Sequence, residues 1–303
     1  MSLVELVSTR AKVESNSDLD GEPIAFLNAE ACRKRFVNHI ALIRSKTGQS
    51  ITDVFWSFID WSFWMTMWEC RYMFEAIEEK VNGFQAEMYA PYDMEECKTN
   101  AFAARDFLVE KNCGVSFGIM QSLWIQAVSE NQEDFLLSLM NSRELNKHHN
   151  LLSKELGQFF TPKSLTDLMA TMIGAPEKNQ NEPELIYEPC AGFGGMLISH
   201  WNENEGMSQP AGKFIYEAGE LSRRTARACF LNMIVHNIPA KVSHMNSLSG
   251  EQLSPTWYTP QIVGCALFGN FGAPESKTTI TNPPFTKEFG LEWLQGLMKT
   301  EHE

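Results

Sequence analysis

The sequence lacks the features that mark several common protein classes. Its seven cysteines are scattered and include no C-x-x-C pair, which argues against a zinc knuckle or a disulfide framework and for reduced thiols. The P-loop pattern G-x-x-x-x-G-K-[ST] and the dinucleotide pattern G-x-G-x-x-G do not occur. The most apolar stretch, residues 54–70, is too short and too polar to span a bilayer, and no signal peptide precedes it. We therefore expect a cytoplasmic protein with no metal site and no membrane association.

Basic residues are also few. The 303 residues include 25 Lys and Arg against 38 Asp and Glu, a net charge of −13. Proteins that grip duplex DNA alone usually present a basic face, because neutralising the phosphates supplies most of the affinity. The charge therefore opposes strong autonomous DNA binding, although a local basic groove or a partner protein could supply the grip.

Residues 1 to about 150 have the pattern of a mostly helical domain. Helices are predicted over about 52–80, 99–111 and 116–140. A cluster of tryptophans in the first of these helices, from Trp61 to Trp68, lies beside an apolar stripe. We interpret the cluster as the buried core of a bundle; the alternative is a surface that docks a partner.

From about residue 151 to 303, short β-like runs alternate with helical ones. Strands are predicted over 185–188, 213–217, 241–244 and 278–281, and helices over 162–173, 195–202, 222–237 and 287–300. This alternation is typical of a parallel sheet covered by helices. Ligands of such sheets bind beyond the carboxyl ends of the strands, so the residues after each strand are candidates for the site.

Three sets of residues follow the first three predicted strands. Gly192, Gly194 and Gly195 form a turn in which the backbone can approach a ligand closely, although a plain tight turn would have the same sequence. Glu220 follows the second strand and could accept hydrogen bonds from ribose hydroxyls, with Glu217 as a rival and a simple helix N-terminal acid as the alternative. Asn246 follows the third strand, where an Asn is often only a turn residue.

The fourth predicted strand is followed by Asn282-Pro283-Pro284-Phe285. The two prolines fix the backbone, so that the Asn282 side-chain oxygen and the Pro283 carbonyl could both accept from one exocyclic amine. Phe285 offers a flat surface for a purine. Such a pocket would orient the nitrogen lone pair and stabilise the charge that develops on it. An ordinary Pro-Pro turn is the alternative.

Taken together and in this order, the motifs resemble the adenine-N6 DNA methyltransferase family, in the form found as modification subunits of type I restriction systems. The resemblance covers about residues 150–290. It includes the segment Gly157 to Pro162 and the stretch 219–238, an acid followed by a helix that ends N-M-x-x-H-x-I. It implies an α/β, Rossmann-like class I domain that uses S-adenosyl-L-methionine, over residues 151–303. It also favours Glu220 over Glu217 as the ribose ligand.

The resemblance assigns roles to particular residues. The catalytic residues that it implies are Asn282, Pro283, Pro284 and Phe285. The cofactor-binding residues that it implies are Gln158, Phe159, Phe160, Thr161, Pro162 (at the first helical position), Glu188, Pro189, Cys190, Ala191, Gly192, Gly194, Gly195, Glu220 and Asn246. Direct methyl transfer to a flipped-out adenine needs no covalent nucleophile, so Cys190 is expected to pack rather than to react.

The resemblance also leaves questions open. The sequence given ends 18 residues after Phe285, so the C-terminal strands of the family sheet are expected to be missing, and a specificity or completing subunit is expected as a partner. A non-catalytic methyltransferase-like module for binding or assembly is one alternative. A protein glutamine-N5 methyltransferase is another, because an N-P-P-aromatic pocket also suits a planar amide.

Overall fold

The computed structural model describes residues 23–141, 161–173, 184–204 and 213–268. The chain divides into two compact units, each discontinuous in sequence: Met1–Trp68 with Met94–Phe160, and Glu69–Asp93 with Thr161–Glu303. The linear division at residue 150, into a helical domain and a methyltransferase domain, did not anticipate that residues 69–93 group with the second unit. As a statement about folding domains it stays a prediction.

The first unit is helical in its described part. After a 3-10 turn at Ile24–Phe26, its helices are α1 (Ala29–Thr47), the first part of α2 (Ile51–Glu78), α4 (Met94–Val109), α5 (Ser116–Asn131) and α6 (Phe135–Asn141). Local chemistry sets the ends of α1: the Asn28 side chain accepts from the Ala31 N–H at 2.9 Å, and Gly48 ends the helix at φ +76°. The predictions of helices near 52–80 and 99–111 are confirmed.

The tryptophan cluster lies in the interior. Trp61 and Trp64 are buried and Trp68 is half-buried, while Phe58 on the same helix is completely buried. The Phe58 ring meets Phe36 edge-on at 5.2 Å between centroids, and aromatic pairs of this kind stabilise beyond the area that they bury. The interpretation of the cluster as core is confirmed for Trp61 and Trp64.

The prediction of one helix over 116–140 is wrong. The segment forms two helices, α5 and α6, because Gln132 adopts a left-handed conformation with φ +54°. Asp134 then starts α6 by accepting the Leu137 N–H at 3.0 Å. Neither a Gly nor a Pro marks the break, so the sequence pattern continues through it.

The second unit has an α/β arrangement. Its elements are the remainder of α2, α3 (Ala86–Tyr89), α7 (Lys163–Ile173), β1 (Glu184–Glu188), α8 (Gly195–Glu203), β2 (Phe214–Glu220), α9 (Arg223–Val235), β3 (Ala240–Asn246), β4 (Glu251–Gln252), β5 (Trp257–Tyr258) and α10 (Pro260–Phe268). Strands β1, β2 and β3 are adjacent and parallel, with Glu188 opposite Ala218 and Glu220 opposite His244. The first three predicted strands are therefore confirmed; the fourth, 278–281, and the helix at 287–300 lie outside the described residues.

The sheet is mixed rather than purely parallel, which corrects the prediction. Strands β4 and β5 pair antiparallel with β3, through Asn246 opposite Glu251 and Val242 opposite Trp257. Both follow β3 through short connections, so the chain folds straight back on the same strand. With α10 they occupy most of residues 249–268.

Residues 69–93 pack on this second unit through aromatic side chains. The ring of Tyr89 stacks on Phe84 at 4.7 Å and meets Tyr258 of β5 at 5.5 Å. Trp257 donates its indole N–H to the Tyr92 hydroxyl at 3.3 Å. No helix in the described part of the chain is long and apolar enough to cross a membrane.

Candidate functional site

The predicted site residues that the structure describes gather mainly where β1, β2 and β3 end. These strands are parallel and in register, so their carboxyl ends share one edge of the sheet. Residues 188–194 begin with the last residue of β1, residues 220–222 with the last of β2 and residues 246–248 with the last of β3. This edge is where open α/β sheets bind their ligands.

The glycine-rich loop after β1 is held against β2. The Ala191 N–H donates to the Gly219 carbonyl at 2.9 Å, and Gly192 and Gly194 have φ of +57° and +88°. A Cβ on Gly194 would lie 2.5 Å from the Met233 methyl group of α9. The left-handed backbone conformation at 194 therefore favours glycine, whereas the Met233 methyl group is the end of a flexible side chain and could move aside.

The opposite side of the loop is fixed by a residue that sequence reasoning did not select. Asn232, buried on α9, donates from its side-chain amide to the Phe193 carbonyl at 2.8 Å. Asn232 is the first residue of the N-M-x-x-H-x-I pattern that ends the helix. The pattern itself was the available signal, and its physical content is a tether from α9 to the glycine loop.

Glu220 joins the loop to the end of β2. Its carboxylate is only 7% exposed and accepts the Gly192 N–H at 3.0 Å and the Ser222 N–H at 2.8 Å. Burial raises the pKa of this carboxyl, while the backbone N–H groups of Ser222, Gly192 and Leu221 oppose that shift. A buried carboxylate at the ligand-binding edge is suited to accept hydrogen bonds from a ligand with vicinal hydroxyls.

Glu217, the rival of Glu220, has a different environment. It faces Lys241 in the register of β2 and β3, and the Lys241 ammonium donates to its carboxylate at 3.1 Å. The two side chains are 20% and 9% exposed. Glu217 is thus used in an ion pair between strands, away from the glycine loop that Glu220 contacts.

Asn246 lies at the same edge and takes part in a tight turn. Its side-chain oxygen accepts the Leu248 N–H at 3.1 Å, and its carbonyl accepts the Gly250 N–H at 2.8 Å. This is the turn role that the sequence left open as the alternative. A contact of Asn246 with a cofactor stays a prediction.

The start of the glycine loop is also ordered by local hydrogen bonds. Glu188 accepts the Cys190 N–H at 3.1 Å, and the Ser247 hydroxyl, beyond β3, donates to the Pro189 carbonyl. The Cys190 side chain is exposed, so the expectation that it packs is wrong. The buried part of the loop begins at the next residue, Ala191.

Thr161 and Pro162 lie just before α7. The helix begins at Lys163, and the Pro162 carbonyl accepts the Thr166 N–H at 3.1 Å, so Pro162 precedes the first helical position instead of occupying it. Helix α7 is attached to α8, the helix that follows the glycine loop, through the hydroxyls of Thr166 and Ser199 at 2.8 Å. Seven predicted site residues lie outside the described part of the chain: Gln158, Phe159, Phe160, Asn282, Pro283, Pro284 and Phe285.

Comparison with known proteins agrees with these motifs. The family model described as N-6 DNA Methylase matches residues 139–302, more than half of the chain. The "Type I restriction enzyme MpnII methylase subunit" of Mycoplasma pneumoniae is 23% identical over 138 residues, which are 44% of this chain. The chain spans only about a fifth (22%) of that relative's length.

A solved structure also aligns with the chain. It is the type I restriction-modification system methyltransferase subunit from Streptococcus thermophilus, which is 14% identical and aligns over 70% of this chain and 57% of its own, with a TM-score of 0.34. That likeness is too low to support an argument about the fold. The match of the family model over residues 139–302, which contain the glycine loop, Glu220 and Asn282 to Phe285, is sufficient by itself: the chain belongs to the N-6 DNA methylase family.

Proposed function

We propose that this chain carries the catalytic domain of a DNA methyltransferase that transfers a methyl group from S-adenosyl-L-methionine to adenine N6. The observation that supports it most is the buried Glu220 carboxylate, which accepts backbone N–H groups from the glycine loop and from its own turn. The glycine loop and Glu220 lie within the residues that the family model matches, and they precede Asn282 to Phe285 along the chain, as the resemblance requires.

The residues present fit S-adenosyl-L-methionine, which supplies an electrophilic methyl group when it is bound. Glu220 would accept the ribose hydroxyls, and Gly192 and Gly194 would let the backbone approach the methionine part of the cofactor. Glu188 to Gly195 would form the remainder of this loop, and Gln158 to Pro162 and Asn246 would complete the site. The domain would then have the Rossmann-like class I fold.

Asn282 and Pro283 would orient the substrate amine. The side-chain oxygen of Asn282 and the backbone carbonyl of Pro283 would accept the two protons of the adenine amino group, and Phe285 would stack on the base. Pro284 would keep the segment rigid. The target adenine would be flipped out of the duplex to reach this pocket, and no enzyme nucleophile is needed.

DNA would be the substrate, and a specificity or completing subunit would be the partner. The net charge of −13 disfavours strong binding of DNA by this chain alone, so a second polypeptide would supply most of the phosphate contacts. We also propose that the protein acts in a restriction-modification system, because the Mycoplasma pneumoniae relative is a type I restriction enzyme methylase subunit. We expect the protein to act in the cytoplasm, where its DNA substrate lies.

The test is methyl transfer from radiolabelled S-adenosyl-L-methionine to a mixture of DNA, RNA and protein, with N6-methyladenine identified in the labelled DNA. Asn282→Ala is expected to reduce transfer by roughly a hundredfold or more while leaving cofactor binding unchanged, because the amine loses its acceptor. Asn38→Ala, on the exposed face of α1, is the matched control, and it should change neither methyl transfer nor cofactor binding.

Three results would contradict the proposal. Folded protein that binds no S-adenosyl-L-methionine in calorimetry would exclude it, with Gly192→Asp as the variant that should abolish binding. Cofactor binding without transfer in any preparation would favour a non-catalytic module for binding or assembly. Label found in protein instead of DNA would point to glutamine-N5 methylation.

A further inference from the structure

His244 connects the turn after β2 with the segment after β4. Its ring Nε2 lies 3.2 Å from the Leu221 carbonyl, and its Nδ1 lies 3.2 Å from the Ser254 hydroxyl. A carbonyl can only accept, so Nε2 carries the proton and donates. In the neutral ring Nδ1 then accepts from the Ser254 hydroxyl.

The contact of His244 falls within the turn that presents Glu220. His244 is opposite Glu220 in the register of β2 and β3. The carbonyl that His244 contacts belongs to Leu221, the residue between Glu220 and Ser222. The N–H of Ser222 donates to the Glu220 carboxylate. A change in the orientation of the Leu221 peptide would therefore move the carboxylate and its backbone donor together.

A chain of polar groups supports His244 from the other side. Gln252 of β4 donates to the Ser254 carbonyl at 2.9 Å and to the Thr256 hydroxyl at 2.8 Å. Thr256 lies 3.1 Å from the Ser243 hydroxyl of β3. The β4–β5 segment, for which methyl transfer alone gives no role, thus holds the imidazole ring in a fixed orientation.

The charges around His244 favour its neutral form. Burial lowers the pKa of the imidazole, the Leu221 carbonyl opposes that shift, and Arg223 and Arg227 of α9 lower it further. Glu220 of β2 is the acidic group opposite it in the sheet register. At neutral pH the ring is therefore a single donor toward Leu221, which suits a role in orientation and not in proton transfer.

We propose that His244 is a positioning residue for the cofactor: by holding the Leu221 carbonyl it sets the orientation of the carboxylate that receives the ribose. This inference rests on the proposed function, since it assigns to Glu220 the role of ribose ligand. It also gives the β4–β5 segment a function, as the support that keeps the imidazole in place.

The experiment compares three variants of the full chain by calorimetry with S-adenosyl-L-methionine. His244→Phe keeps a flat aromatic ring of similar bulk and removes both hydrogen bonds, and it should weaken binding by about fivefold, the effect of one neutral hydrogen bond. His244→Gln can still donate to Leu221 and should bind within about twofold of the wild type. Ser254→Ala removes only the supporting hydroxyl and should lie between them.

Hydrogen exchange without cofactor gives a second measurement, independent of the proposed function. In His244→Phe, the backbone N–H groups of Gly192 and Ser222 should exchange faster than in the wild type, whereas those of α1 should not change. If the wild type binds no cofactor, the methyltransferase proposal and the inference drawn from it both fail. If the wild type binds and His244→Phe matches it in affinity and exchange, only the positioning role is overturned. Should His244→Phe fail to fold, equal binding by Ser254→Ala, His244→Gln and wild type overturns the role as well.

Discussion

Two glutamates only three residues apart on β2 have different hydrogen-bond donors. Glu217 pairs with Lys241 on the neighbouring strand, and both side chains are mostly buried. Glu220 is also buried, but it accepts backbone N–H groups from Gly192 and Ser222. A buried carboxylate is costly unless it is paired or hydrogen-bonded, so one glutamate is suited to stability and the other to a ligand.

Replacing each glutamate by glutamine should separate these roles. Glu220→Gln should weaken S-adenosyl-L-methionine binding by about tenfold or more, because hydrogen bonds to a charged acceptor are the stronger kind. Glu217→Gln should leave cofactor binding unchanged and lower the free energy of unfolding by about 2 kcal/mol, because the buried Lys241 loses this carboxylate. Calorimetry and urea unfolding of the same two proteins measure both effects, and each variant is the control for the other. Equal losses of affinity in the two would contradict the assignment.

The shifted pKa of Glu220 determines how the stability of the protein changes with pH. The pKa of its carboxyl is raised from 4.5, so the folded protein holds this proton to a higher pH than the unfolded chain does. Its contribution to stability is therefore complete below pH 4.5 and is lost as the pH rises through the raised pKa. The free energy of unfolding of the wild type, measured relative to Glu220→Gln, should accordingly fall as the pH rises above 4.5. If the free energy of unfolding of the wild type instead rose with pH relative to Glu220→Gln, the pKa of Glu220 would not be raised by burial.

At the scale of elements, most of the helices and strands could be predicted from the local periodicity of apolar residues. Strands β1, β2 and β3 and helices α7, α8 and α9 were placed from the sequence within a few residues, because each is long enough to show its own pattern. The strands β4 and β5 have two residues each and exist only through pairing with β3, so no local signal marks them. The glycine loop and Glu220 were selected by motif; Asn232 and His244 were not, since their roles come from hydrogen bonds to backbone carbonyls distant in sequence.

The residue that follows the last turn of α9, His236, is a histidine that burial keeps neutral. His236 is buried, and burial lowers its pKa from 6.5 to about 3. The unfolded chain therefore takes up a proton below pH 6.5 that the folded protein does not. The stability that His236 contributes is present above pH 6.5 and is lost as the pH falls toward 3. A cation is normally favoured at a helix C-terminus, but here desolvation outweighs that attraction.

The variant His236→Leu, similar in size and unable to titrate, should reduce the loss of stability in acid. Between pH 6 and pH 5, the free energy of unfolding of the wild type should fall relative to the variant by about 1.4 kcal/mol per pH unit, the linkage of one proton. Urea unfolding followed by circular dichroism at these values measures the difference. The window lies above the usual titration range of the carboxyl groups, so parallel curves for the two proteins would mean that His236 is protonated in the folded state.

At the scale of the whole molecule, the second unit depends on residues from the N-terminal half of the chain. Residues 69–93 group with residues 161–303 in the second unit. They lie outside the range 139–302 that the family model matches. Tyr89 and Tyr92 of this segment contact Tyr258 and Trp257 of β5, which is paired with β3. The strand that ends at the candidate site is therefore braced, through β5, by a segment that precedes the matched range.

This dependence predicts a long-range effect of Tyr89→Ala. Tyr89 is 2% exposed and stacks on Phe84, so its truncation should cost about 3 kcal/mol and fall on the second unit. Hydrogen exchange should accelerate at the backbone N–H groups of β3, more than 140 residues away in sequence. Phe117→Ala, an equally buried aromatic truncation in the first unit, is the matched control and should leave β3 protected. If both variants changed β3 alike, the two units would unfold together; if Tyr89→Ala left β3 unchanged, residues 69–93 would not be a structural part of the methyltransferase unit.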